Sequence, residues 1–121
     1  NRSEDKFQVW TAEGKVILEK VVVAKTVISR LKGLMFRKEL PETEGLLLKP
    51  CNSIHTFFMR IPIDAVFCND KNKVIQVYRR MSPWKISRIH LDASYVIESS
   101  AGIMSSLEPG DYIVIKRPTK I

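Results

Sequence analysis

The chain has 121 residues, 45% of them hydrophobic and 27% charged, with a net charge of +7. That is room for one domain with one sizeable core, and the composition lies far from that of a disordered chain. Two cysteines exclude a disulfide scaffold, and they lack the C-x-x-C spacing of zinc or redox sites.

No run approaches the roughly 20 apolar residues of a membrane helix, and no signal peptide is present. The chain begins at Asn1, not Met, so we expect a preceding segment that exports or anchors the protein; a cytoplasmic location is the alternative. Lysines and arginines are spread along the chain with carboxylates between them. Such a surface attracts anions without a specific fit.

Residues 1–5 are polar and expected to be disordered; 6–117 form one globular domain, and 118–121 a polar tail. Phe7 and Val9 alternate with polar neighbours, Gly14-Lys15 punctuates, and Val16, Leu18 and Val21 to Val23 resume, which predicts a hairpin. From Lys25 the period lengthens to three and four residues, predicting a short helix over Val27 to Leu31 with Thr26 as N-cap and Gly33 at its end. An apolar wedge, Leu34-Met35-Phe36, follows. A loop over Leu40 to Gly45 leads into a buried strand over Gly45 to Leu48.

Ser53 to Met59 and Ile63 to Asn69 are rich in aromatic and β-branched residues and predict two extended segments around Arg60-Ile61-Pro62. Asn69 to Asn72 is a turn, Val74 to Tyr78 the returning strand, and Arg79 to Leu91 a loop. Ser94 to Glu98 predicts another strand, Ala101 to Leu107 a second short helix, and Tyr112 to Lys116 the last strand. The fold class expected is mainly β (α+β): a compact, barrel-like or closed, antiparallel-rich sheet with two short helices.

The stretch from Pro50 to Asn69 sets His55, Arg60, Asp64, Cys51 and Cys68 among strongly apolar residues. Polar groups in such surroundings need partners. If Arg60 to Ile63 made a tight turn, His55 would face Cys68 and Met59 would face Asp64, suggesting a soft-metal or Cys-His nucleophilic site. Composition favours strand over the helix that would align Cys51, His55 and Met59, and no oxyanion element is visible. We therefore assign no metal and no cofactor. Asp64 is expected to pair with Arg37, Arg60 or His55. Glu98, in an otherwise apolar strand, is the other carboxylate in need of a partner.

Arg30-x-x-Gly33-Leu34-Met35-Phe36-Arg37, Leu40-Pro41, Gly45-Leu46, and Ile54-His55-Thr56-Phe57-Phe58-Met59-Arg60-x-Pro62-Ile63-Asp64-x-Val66-Phe67 together resemble the bacterial and archaeal family called domain of unknown function 192. Pro83-Trp84, Ala93-x-x-Val96-x-Glu98, Ala101-Gly102 and Gly110-Asp111 continue the likeness. It spans about Val21 to Val114, with departures at Ile61, Cys68 and Ser99-Ser100. The resemblance implies a compact, mainly β fold with no assigned activity, and relatives that are often exported or anchored. An atypical Cys68 weighs against a shared Cys-His chemistry.

The function expected is a small binding module that recognises an anionic small molecule or partner segment through Arg37, His55, Arg60 and Asp64, with Trp84 at the rim. A hydrolase-type enzyme using His55 and Asp64 as an acid/base pair is the second reading. Single-stranded nucleic-acid binding through Trp84, Tyr78, Tyr95 and nearby arginines is the third.

Overall fold

Alternating apolar residues shape the first hairpin: β1 (Lys6–Thr11) runs antiparallel to β2 (Val16–Ala24). Gly14 takes the positive φ of 93° that the turn between them requires. The computed structural model describes residues 6–118, so the terminal segments assigned above as disordered (1–5) and most of the polar tail (118–121) lie outside the described residues.

After β2 comes α1 (Val27–Lys32). Thr26 Oγ1 accepts the Ser29 backbone N–H at 3.0 Å, and Ser29 Oγ accepts the Thr26 N–H at 3.1 Å. This reciprocal cap satisfies two donors that a helix start would otherwise leave unpaired. At the other end Gly33 donates to Ser29 O and leaves the helix with φ 47°.

The chain then returns as β3 (Glu44–Leu48), β4 (Ile63–Cys68), β5 (Val74–Met81), β6 (Tyr95–Ser100) and β7 (Ile113–Lys116), in the sheet order β5-β4-β6-β3-β2-β1-β7. Among the described residues only β2 and β3 pair in parallel, because α1 carries the chain over between them. Gln8 stands opposite Lys116 where β1 meets β7.

The two outer strands meet at one end. Val74 donates to Asp111 O at 2.7 Å, Gly110 donates to Val74 O at 2.8 Å, and Lys73 bridges Tyr112. The sheet is a curled half-barrel, in line with the barrel-like alternative expected from sequence. Every strand sends a residue into the core within the curl, including Val9, Leu18, Leu47, Val66, Val77, Ile97 and Ile113. Close packing there depends on Gly45, where an added Cβ would lie 2.8 Å from Leu18 Cδ1 and 2.9 Å from the Glu98 carbonyl. A second core, with Leu34, Ile54, Met59, Ala65, Phe67 and Val96, covers the outer face of the β3–β6–β4 region.

Three local expectations are corrected. Residues 101–106 form turns, not a second helix: Gly102 adopts φ 93°, and the Met104 N–H is taken by the Asp64 carboxylate. Ser53 to Met59 is irregular, with one bridge between His55 and Ile86 and a left-handed Phe58, φ 65°. Finally, β4 pairs with β5 and β6, so Cys68 lies opposite Val74 and Tyr95 and not opposite His55.

Candidate functional site: a cleft over a buried glutamate

β6 runs between β3 and β4, which places Glu98 opposite Leu46 on one side and Ala65 on the other. Tyr95 and Ile97 fill the inner core, so Val96 and Glu98 face the outer layer. Glu98 is 2% exposed, and its Oε1 has no hydrogen-bond partner. A buried, unpartnered carboxyl favours its neutral form. Burial alone pushes its pKa up to about 8.

Above this carboxyl is a cleft of about 240 Å³. The last turn of α1 contributes Arg30 and Lys32, and Gly33 follows them; the segment after β3 contributes Cys51 through His55; Leu48 and Met59 are apolar walls. Gly33 matters for access, because a Cβ there would come within 3.7 Å of Glu98 Oε1. The Cys51 thiol donates to Ser53 O at 3.1 Å. Burial raises its pKa; interaction with the Ser53 backbone opposes the rise, Glu98 adds to it, and Arg30 opposes it.

His55 stands at the mouth. Its Nδ1 accepts the Phe57 N–H at 3.1 Å and its ring stacks on Phe57, with centroids 5.0 Å apart. With Nδ1 used as an acceptor, the neutral ring carries its proton on Nε2.

The residues singled out by sequence separate in space. Asp64 is fully buried; Oδ1 accepts the Arg80 N–H at 2.9 Å and Oδ2 the Met104 N–H at 3.0 Å. It shares a strand face with the inner-core Val66, so it points away from the cleft that His55 lines. Both of its oxygens are held by backbone, in place of the arginine or histidine expected from sequence. Arg37, Arg60 and Trp84 are exposed on the outer layer and do not line the cleft. Tyr95 is buried and donates to Asn72 Oδ1, and the Tyr78 hydroxyl is hydrogen-bonded to the His90 ring. Of the aromatics proposed for stacking on bases, Trp84 is the exposed one.

Comparison with known proteins bears on what this arrangement is. A model of the DUF192 family, described as Uncharacterized ACR, matches residues 8–115. The chain belongs to that family. Its relatives include UPF0127 proteins of Pyrococcus horikoshii, 33% identical over 92% of this chain and 94% of the relative, and of Pyrococcus furiosus, 34% identical over 82% and 89%.

Two solved structures share the DUF192 fold seen here. A Novosphingobium aromaticivorans protein of unknown function superposes with a TM-score of 0.77 at 24% identity, covering 90% of this chain and 83% of its own. A candidate transcription regulator of Sinorhizobium meliloti gives 0.76 at 22%, covering 90% and 91%. At such identities the likeness is one of fold.

In this DUF192 chain the cleft gathers Gly33, His55, Met59 and Glu98, all of them within the motifs that carry the family resemblance. Sequence reading did not single out Arg30, Lys32, Asn52 or Ser53 as site residues. Glu98 did carry a signal, as a carboxylate following Val96-Ile97 in a β-branched run. What the sequence hides is that α1 and the segment after β3 converge over it.

Proposed function

We propose that the chain is a small-molecule binding module whose ligand is a compact anion, a carboxylate or phosphate, held in the cleft over Glu98. One observation carries this reading: a carboxyl buried to 2% exposure, with Oε1 unpartnered, under a cleft whose other charged lining residues are Arg30 and Lys32. Kept neutral by burial, Glu98 donates a hydrogen bond to an anionic oxygen without repelling it. Arg30 and Lys32 supply the countercharge at the mouth, and the Nε2–H of His55 offers a further donor. The Leu48 and Met59 walls suit a short apolar portion of the ligand.

Titration of the isotopically labelled protein with acetate, short dicarboxylates and inorganic phosphate tests the reading. Expected are shifts confined to amides of residues 30–33, 51–55 and 98, with affinity falling about tenfold for each pH unit above about 8 as Glu98 loses its proton. Glu98→Gln should bind without that pH dependence, since an amide also donates. Absence of shifts at millimolar anion would refute the proposal. So would tighter binding as the pH rises, which would mean a ligand that prefers the ionised carboxylate.

A further inference from the structure

Three turns from separate parts of the chain meet on the outer layer, and each presents an aromatic residue in the left-handed region: Phe36 (φ 66°), Phe58 (φ 65°) and Trp84 (φ 65°). Bulky side chains adopt this backbone reluctantly, and it persists only where neighbouring structure enforces it. Here the turns are fastened to one another. Phe36 donates to Phe58 O and Trp84 donates to Thr56 O, both at 2.9 Å. The buried Thr56 hydroxyl donates to Ser82 O at 2.7 Å and accepts the Lys85 N–H at 2.8 Å.

Firmly held backbone thus carries rings that face water. Phe36 is 60% exposed, Phe58 47% and Trp84 57%. The rings pack against one another at tilted angles in one ridge, with centroids 5.7 Å apart for Phe36 and Phe58 and 4.7 Å for Phe58 and Trp84. Exposed Ile86 lies two residues beyond Trp84.

Cations flank every ring in sequence: Arg37 and Lys38 after Phe36, Arg60 after Phe58, Lys85 and Arg88 after Trp84, all of them exposed. Residues 45–63 and 71–91 contain no Asp or Glu. The carboxylates next along the chain are Glu39 after the first turn, Glu44 and Asp64 on either side of the second stretch, and Asp70 and Asp92 on either side of the third.

We infer that this ridge docks on an anionic lipid bilayer, with Phe36, Phe58 and Trp84 at the headgroup boundary and Arg37, Arg60 and Lys85 against lipid phosphates. The two halves of the patch match the two halves of that surface. Aromatic rings favour the region between headgroups and acyl chains, and flanking basic residues gain from a negative surface potential. A second copy of the chain would bring cations against cations. The rings already pack on one another, so they leave no slot for a nucleic-acid base.

Co-sedimentation with vesicles of phosphatidylcholine alone, or with about one-third phosphatidylglycerol, tests the inference. The full chain should sediment with the anionic vesicles and not with the neutral ones. Trp84→Ser, Phe58→Ser and Lys85→Glu, each checked for folding by circular dichroism, should each weaken binding about tenfold. A second measurement leaves the ridge intact: in a Trp10→Phe background, brominated lipid should quench Trp84 emission. No sedimentation with anionic vesicles would overturn the inference. Sedimentation indifferent to Trp84→Ser and without quenching would also overturn it, as would retention on single-stranded DNA, an acidic peptide or a second copy of the chain in place of vesicles.

Discussion

Replacing Glu98 by glutamine should remove one specific component of the protein's pH dependence. Folding raises the Glu98 pKa from 4.5 to about 8 through burial. Between these values the folded chain keeps a proton that the unfolded chain has released. Stability from this group is therefore fully present below about 4.5, declines as pH rises, and levels off above about 8. Each unit of difference corresponds to somewhat over 1 kcal/mol, so the decline amounts to about 5 kcal/mol at most, against a total stability of about 5–15 kcal/mol for a domain. Glutamine has nearly the same shape and does not titrate. Its amide also lacks a protein partner, which adds an offset that does not vary with pH. Urea unfolding of both proteins at about pH 5, 6.5 and 8 should show curves that diverge at the acid end, with the wild type gaining stability relative to Glu98→Gln as pH falls. Parallel curves would refute the reasoning.

The inner core and its supports give further tests. Asp64→Ala leaves the Arg80 and Met104 N–H groups without their acceptors and should cost about 3 kcal/mol, with Asp64→Asn losing less; an effect below about 1 kcal/mol in urea unfolding would contradict the assigned bonds. Gly45→Ala forces a methyl against Leu18 and the Glu98 carbonyl and should cost about 1–3 kcal/mol, read as a lowered unfolding midpoint. The two cysteines should separate by reactivity toward a thiol reagent. Cys68 is buried with its pKa pushed up to about 11, mainly by burial, whereas Cys51 is half-buried at the cleft. Cys51 should therefore react first, Cys68 only on unfolding, and an anion in the cleft should slow Cys51. Equal native rates would contradict this placement.

The elements that local pattern could specify are those found: the first hairpin, α1 with its Thr26 cap, β3 in its apolar run, and the turn at Asn69 to Asn72 before β5. Where pattern misled, a distant contact decided. Ser53 to Met59 has the composition of a strand, but Thr56 is engaged by Ser82 and Lys85, and a left-handed Phe58 breaks any ladder. Ala101 to Leu107 has helical spacing, yet Asp64 claims the Met104 N–H from β4. Sequence displays charged side chains as partners for Asp64, whereas the fold supplies the Arg80 and Met104 backbone N–H groups. Backbone N–H groups satisfy a carboxylate equally well, and only the tertiary fold selects which ones. Glu98 was legible as a polar residue in an apolar strand, whereas the cleft over it depends on the meeting of two segments with no local signature.

The pairing of Gln8 with Lys116 sets the first and last strands side by side, running in opposite directions. A sheet whose first and last strands adjoin can be spliced into a surface loop of a larger polypeptide without being stretched, or have those strands joined by a short linker and be reopened elsewhere. The exposed turn at Asp70-Lys71, remote in sequence from both the cleft and the aromatic ridge, is a natural point for new termini. Adjoining first and last strands let evolution and protein engineering alike insert this half-barrel into a host loop.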